Sequence, residues 1–195
     1  MLSEPDGSRL LAIARHSLEL FVRQREGWQP DLSQLPESLL RPGCSFVTLR
    51  NLVGELRGCL GNTEAHEPLA WDVARNAAAS ASRDPRFAPV AEWELAGLRL
   101  EVSVLTSPQP LQFDDYAHLL SLLRPGTDGV ILTWQGRRGL LLPQVWARVS
   151  NPASFLQQIC LKAAIPGREL RQTPPTVAAK TFQVQYFAEE GYQEQ

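Results

Sequence analysis

Hydrophobic positions along the chain recur with two periods. From Ser8 to Gln24, Leu10, Leu11, Ala14, Leu18, Phe21 and Val22 fall at helical spacing with Arg9, Arg15, Glu19, Arg23 and Gln24 largely opposite. That pattern predicts an amphipathic helix that stops near Gly27, with His16 off its apolar stripe as a solvated or packing residue. Residues 28–43, with Pro30, Pro36 and Pro42, predict a connector holding one helical turn at Glu37 to Leu40. Ser45 to Leu49 and Glu55 to Leu60 then predict an antiparallel pair of strands turning at Arg50-Asn51. Pro68 opens a helix over Leu69 to Ser82 whose alanines (70, 74, 77, 78, 79 and 81) permit close approach of a neighbouring backbone.

Farther along, Leu98 to Leu105 alternates, placing Leu98, Leu100, Val102 and Val104 on one face and Arg99, Glu101 and Ser103 on an outward one. Pro108 and Pro110 mark a loop, and Asp114 or Asp115 caps a short helix reaching Leu123. Val130 to Thr133 and Leu140 to Leu142 form a second hairpin around residues 135–139. Asn151-Pro152 starts a helix to about Ala164, and Thr181 to Phe187 is a last strand. Hairpins mixed with helices, without regular strand-helix alternation, predict an α+β fold of mainly antiparallel sheet flanked by helices.

The length of 195 residues suits one well-buried domain, and 44% hydrophobic with 21% charged residues is globular composition. A formal net charge of -2 gives no general attraction to phosphate backbones or anionic membranes, so nucleic acid is disfavoured as a partner. The first residues lack a secretory n- and h-region and no run spans a bilayer, which reads as a cytoplasmic chain without a membrane partner. Cys44, Cys59 and Cys160 are odd in number and widely spaced, so free thiols are expected rather than a disulfide framework or zinc ribbon.

Chemistry is densest at Leu56-Arg57-Gly58-Cys59-Leu60-Gly61. Strand alternation sets Glu55, Arg57 and Cys59 on one face and Leu56, Gly58 and Leu60 on the other. In the catalytic reading Arg57 lowers the Cys59 pKa, the amides of Gly58 to Gly61 cradle an anion, and His66 or Glu101 supplies acid-base chemistry. In the structural reading Cys59 is a small buried residue, Arg57 pairs with Glu55 or Asp84, and the glycines allow tight packing. Arg83-Asp84-Pro85-Arg86-Phe87 has the same two readings, since Asp84 and Arg86 either bind a phosphate or carboxylate or lock a loop. Cys59, His66 and Glu101 lack paired ligand spacing, so neither a metal nor another cofactor is expected. Lys162 defaults to solvent, and Trp71, Trp93, Trp134 and Trp146 are candidates for an exposed partner surface. Arginine clusters leave RNA binding as a third alternative.

Several of these blocks, in order, make the chain similar to the AMMECR family, the protein A component of the AmmeMemoRadiSam system. They are LRGCLG at 56–61, Pro68-Leu69-Ala70, RDPRF at 83–87, LEVSVL at 100–105, Arg124-Pro125-Gly126 with Asp128-Gly129, GLLLPQV at 139–145, Phe155-Leu156 and CLKA at 160–163. They span roughly residues 43–187. Leu60 stands where the family usually has Ile, Ser82 where an aromatic often precedes RDPRF, and Ala164 where Gly is common after CLKA. The resemblance implies one α+β domain, with a larger lobe from both chain ends and a smaller middle lobe, and the hexapeptide near a cleft between them. It further implies a substrate-binding or catalytic component of a modification pathway, with partners among Memo-like and radical-SAM proteins, the alternative being a non-catalytic adaptor. It supplies no activity.

Overall fold

The computed structural model describes residues 1–149 and 151–192. They fall into two compact units, one of residues 1–105 together with the chain from Gln185, the other of residues 106–184. Both combine antiparallel sheet with helices, so the fold is α+β.

The first unit starts with α1 (Glu4–Gln24) and the single turn α2 (Glu37–Leu40). Helix α1 begins four residues before the predicted start at Ser8, because Ser3 and Asp6 form a capping box and the first turn accommodates Pro5. Four strands follow in the order β2-β1-β3-β8: β1 (Cys44–Asn51), β2 (Leu56–Gly61), β3 (Leu98–Leu105) and β8 (Val184–Ala188). On one face of this sheet α1 and α3 (Leu69–Ser82) bury Leu10, Leu18, Val73, Ala77, Val47, Leu49, Leu100 and Val102 in a common core. The small side chains of α3 do what their spacing predicts. Ser17 Oγ of α1 donates to the Ala74 carbonyl at 2.7 Å, and Ser80 Oγ donates to the Val47 carbonyl at 2.7 Å.

The second unit holds β4 (Gln109–Leu111), α4 (Tyr116–Leu122), β5 (Gly129–Trp134), β6 (Arg137–Leu141), α5 (Pro152–Ala163) and β7 (Ala178–Phe182), with strand order β4-β7-β5-β6. Its own core gathers Leu119, Val130, Leu132, Phe155, Leu156 and Ile159, with Trp146 stacked on Phe155. Asn151 caps α5 as its sequence predicts, accepting from the Ser154 amide.

Three expectations shift. The second hairpin turns on Gln135 and Gly136 alone, both at positive φ as a type I′ turn requires, so its strands are longer than the pattern indicated. The residues read as a loop at Pro108 and Pro110 contain β4, an edge strand, where a missing proline N–H is tolerated. The last strand is two, β7 and β8, in different sheets. Between them Gln183 exchanges bonds with Thr106, whose hydroxyl accepts from the Gln183 amide at 2.8 Å and whose amide donates to the Gln183 carbonyl at 2.9 Å.

Candidate functional site

The hexapeptide forms the whole of β2, and residues 84–94 close over it. Arg57 donates from Nε and Nη2 to the two carboxylate oxygens of Glu94, at 2.7 and 3.0 Å, and from Nη1 to the Ala88 carbonyl at 2.9 Å. This fork holds the Glu94 carboxyl below the ordinary carboxylate range, against the opposing effect of its partial burial. The partner of Arg57 is thus Glu94, neither Glu55 nor Asp84. Phe87 lies beneath both Arg57 and Arg86, with ring centroids 5.9 and 5.5 Å from the guanidinium carbons.

Asp84 is only 4% exposed. Its carboxylate accepts from the Cys59 amide at 2.9 Å and from the Arg86 amide, Nε and Nη2. Arg86 Nη2 also reaches the Cys59 carbonyl at 3.5 Å. The amide of Leu60 is taken by Ser80 Oγ at 2.8 Å, so two of the amides expected to cradle an anion already serve side chains. Gly58 and Gly61 sit where a side chain would strike backbone: a Cβ on either would lie 2.2 Å from a carbonyl oxygen, of Ser80 and Ser45 respectively. Their absent side chains let α3 and β1 approach.

Cys59 belongs to a row across three strands. Thr48 of β1 is in register with Cys59 on one side and Glu101 of β3 on the other, so all three side chains share a face. Thr48 Oγ1 donates to Cys59 Sγ at 3.3 Å, and Ser103 Oγ donates to Glu101 Oε1 at 2.9 Å. Glu101 lies on the face opposite the hydrophobic core, as the alternation predicted, but that face is not open to solvent at this point. Glu101 is 8% exposed, on a strand interior to its sheet. Burial pushes the Cys59 thiol above its ordinary pKa, and the lowering by Thr48 and Arg86 does not overcome it. The expected activation by Arg57 is therefore corrected, because that guanidinium is spent on Glu94. His66 stands exposed beside Glu64 at 3.4 Å, while the charged groups acting on the thiol are Arg86, Asp84 and Glu101.

A direct consequence is slow alkylation. Cys59 is expected to react with iodoacetamide more slowly at neutral pH than an unperturbed cysteine, with the rate still climbing above pH ~9. Peptide-resolved mass spectrometry across a pH series checks this, and a rate plateau below neutrality would contradict it. Among the described residues no group of three or more His, Cys, Asp and Glu is placed to hold a metal ion.

Beside Arg57 the surface opens into a hollow of about 420 Å³, lined by Asn51, Leu52, Val53, Arg57, Trp93, Glu94, Gly97 and Leu98. Trp93 is 83% exposed, and Leu52 and Val53 are each 61% exposed. The other tryptophans considered for a partner surface are engaged. Trp71 donates to the Pro30 carbonyl, Trp134 lies half-buried next to Arg137, and Trp146 is buried.

A family model described as AMMECR1 matches residues 11–187. The chain belongs to the AMMECR1 family. A protein of Methanothermobacter thermautotrophicus is 39% identical over 192 residues, covering 97% of each chain, and Protein SSO0193 of Saccharolobus solfataricus is 38% identical over 172 residues, covering 84% of this chain and 74% of the relative. Among solved structures, Uncharacterized Protein PH0010 from Pyrococcus horikoshii is similar with a TM-score of 0.80 and 30% identity, covering 97% of this chain and 94% of that one. In this AMMECR1-family chain the sequence motifs mark residues that bind each other. The features they do not announce are Glu94, Thr48 and the hollow at Trp93. Thr48 could not be read from the sequence, because Arg50 and Asn51 belong to β1 rather than to the turn, and an irregularity between Leu49 and Arg50 shifts the register with β2 by one residue.

Proposed function

We propose that the chain is a substrate-binding component of a cytoplasmic modification pathway shared with Memo-like and radical-SAM proteins, and that it does not act through a Cys59 thiolate. The pathway rests on the family resemblance of the motifs. The binding role rests on one observation, the hollow of about 420 Å³ beside the hexapeptide, walled by exposed Trp93, Leu52 and Val53. Its volume falls within the range of small-molecule sites, and its apolar walls with few polar groups match their usual lining. The Arg57–Glu94 pair contributes a self-satisfied, neutral polar edge, so the hollow takes an apolar or aromatic part of the substrate rather than an anion. Among the described residues no helix is long and apolar enough to cross a membrane.

The test is turnover or substrate capture in the reconstituted pathway. Trp93→Ala is expected to weaken capture about tenfold or more, as loss of an aromatic anchor does, while Cys59→Ala leaves it within about twofold. Loss of function in Cys59→Ala with Trp93→Ala unaffected would replace this reading with thiol chemistry.

A further inference from the structure

The chain's near-neutral charge hides a partition. Residues 106–184 carry eight Lys and Arg against four Asp and Glu, whereas the remainder carries eleven against seventeen. Within the second unit the excess is concentrated further. The forty residues from Gly129 to Arg168 contain no acid and five cations, Arg137, Arg138, Arg148, Lys162 and Arg168. This is the stretch that builds β5, β6 and α5.

The fold gathers part of that charge at one seam. Helix α5 packs on the edge strand β6, where a Cβ on Gly139 would lie 2.6 Å from the Ala163 methyl group. Arg137 of β6 donates across to the Ala164 carbonyl at the end of α5, and Lys162 Nζ of α5 donates back to the Leu140 carbonyl of β6 at 3.3 Å. Both side chains remain exposed, so each still offers N–H groups to solvent. Next to Lys162, Leu161 is 74% exposed, one of the few large apolar side chains left open. A cation closing the C-terminus of α5 is ordinary compensation of the helix dipole. Two exposed cations at the seam, with an exposed leucine one residue before Lys162 on the same helix, in a forty-residue stretch without an acid, exceed that need.

We propose that the seam of β6 and α5 docks an acidic protein segment bearing an apolar side chain. Leu161 makes the apolar contact, and Arg137 and Lys162 meet the carboxylates. Charge complementarity selects an acidic partner, and the exposed leucine selects protein over nucleic acid. The aromatic at this place, Trp134, is half-buried with the Arg137 guanidinium 5.6 Å from its ring centroid, so a stacking base would compete with that guanidinium for the ring. This surface lies in the second unit and stands or falls independently of the hollow at Trp93.

The experiment is fluorescence anisotropy on the full chain with a labelled peptide of glutamates flanking a leucine, run beside labelled poly(U) RNA. The peptide is expected to bind, to lose affinity as salt rises from ~0.05 to ~0.2 M, and to bind about tenfold more weakly to the double variant Arg137→Glu, Lys162→Glu. Leu161→Ser should weaken binding without changing the salt slope. The neutral pair Arg137→Gln, Lys162→Gln gives a second reading should the charge reversal fail to fold, as judged by circular dichroism. Absence of peptide binding, binding indifferent to the folded variants, or tighter binding of poly(U) than of the peptide would each overturn the proposal.

Discussion

Gly58→Ala is expected to destabilise the protein by about 3 kcal/mol or more, at the upper end of the usual cost of overpacking a close-fitted site. The added methyl group would lie 2.2 Å from the Ser80 carbonyl oxygen and 3.2 Å from its carbon, both main-chain atoms of α3. A flexible side chain could swing away from such a contact. The backbone of a helix pinned to the same sheet by Ser80 Oγ, which donates to Val47 and accepts from Leu60, cannot do so cheaply. Gly27→Ala is the matched control, since nothing lies within 4 Å of its added carbon. Urea midpoints decide the matter. A Gly58→Ala midpoint equal to the wild type would remove close packing as the reason for glycine in the hexapeptide.

The second large effect belongs to Asp84. Asp84→Ala is expected to cost about 2 to 4 kcal/mol, because it strips the acceptor from the Cys59 amide and from three N–H groups of Arg86. The Arg86 side chain is 54% exposed and recovers part of its loss from water, which keeps the figure below that of a fully buried pair. Asp84 also gives the fold an acid-sensitive contribution. The hydrogen bonds donated by Arg86 hold its carboxyl far below the ordinary carboxylate range, more than burial raises it. The folded-state value therefore lies below the unfolded one, and the unfolded chain takes up the proton first. The contribution is complete above the unfolded aspartate value of about 3.9 and is lost as pH falls toward the folded value. Asp84→Asn should accordingly be less stable near pH ~6 yet lose less on acidification to pH ~3. Parallel stability-pH curves for the two proteins would show that Asp84 is not the titrating lock.

Sequence and structure agree best where local pattern and burial coincide. The alanine-rich α3 is one case, and its density of small residues already announces the close approach that Gly58 completes. The capped start of α5 is another, because Asn151 and Pro152 act within one turn. Agreement fails where the deciding partner is remote. Arg57 and Glu94 are 37 residues apart, and Glu94 belongs to a short 3-10 turn with no distinguishing pattern of its own. Glu101 alternates as an outward residue should, yet it is only 8% exposed. Period-two alternation reports which residues share a face, not whether that face is covered. Of the residues singled out from the sequence, Cys59 and Glu101 do lie in one row, joined by Thr48, which the spacing did not single out. The electrostatics of the site were not legible, since the thiol's environment depends on burial and on Arg86, neither of which local spacing reveals.

The side chains closing over β2 have one more consequence. A terminal strand ordinarily displays free N–H and C=O groups along its outer side, a template onto which a foreign strand can add. Here the carboxylate of Asp84 and the guanidinium of Arg86 occupy the amide and the carbonyl of Cys59, as a neighbouring strand would. The RDPRF segment therefore works as a strand mimic built from side chains. It caps the edge of the sheet at Cys59, so a foreign strand adding to the middle of the hexapeptide would first have to displace Asp84 and Arg86.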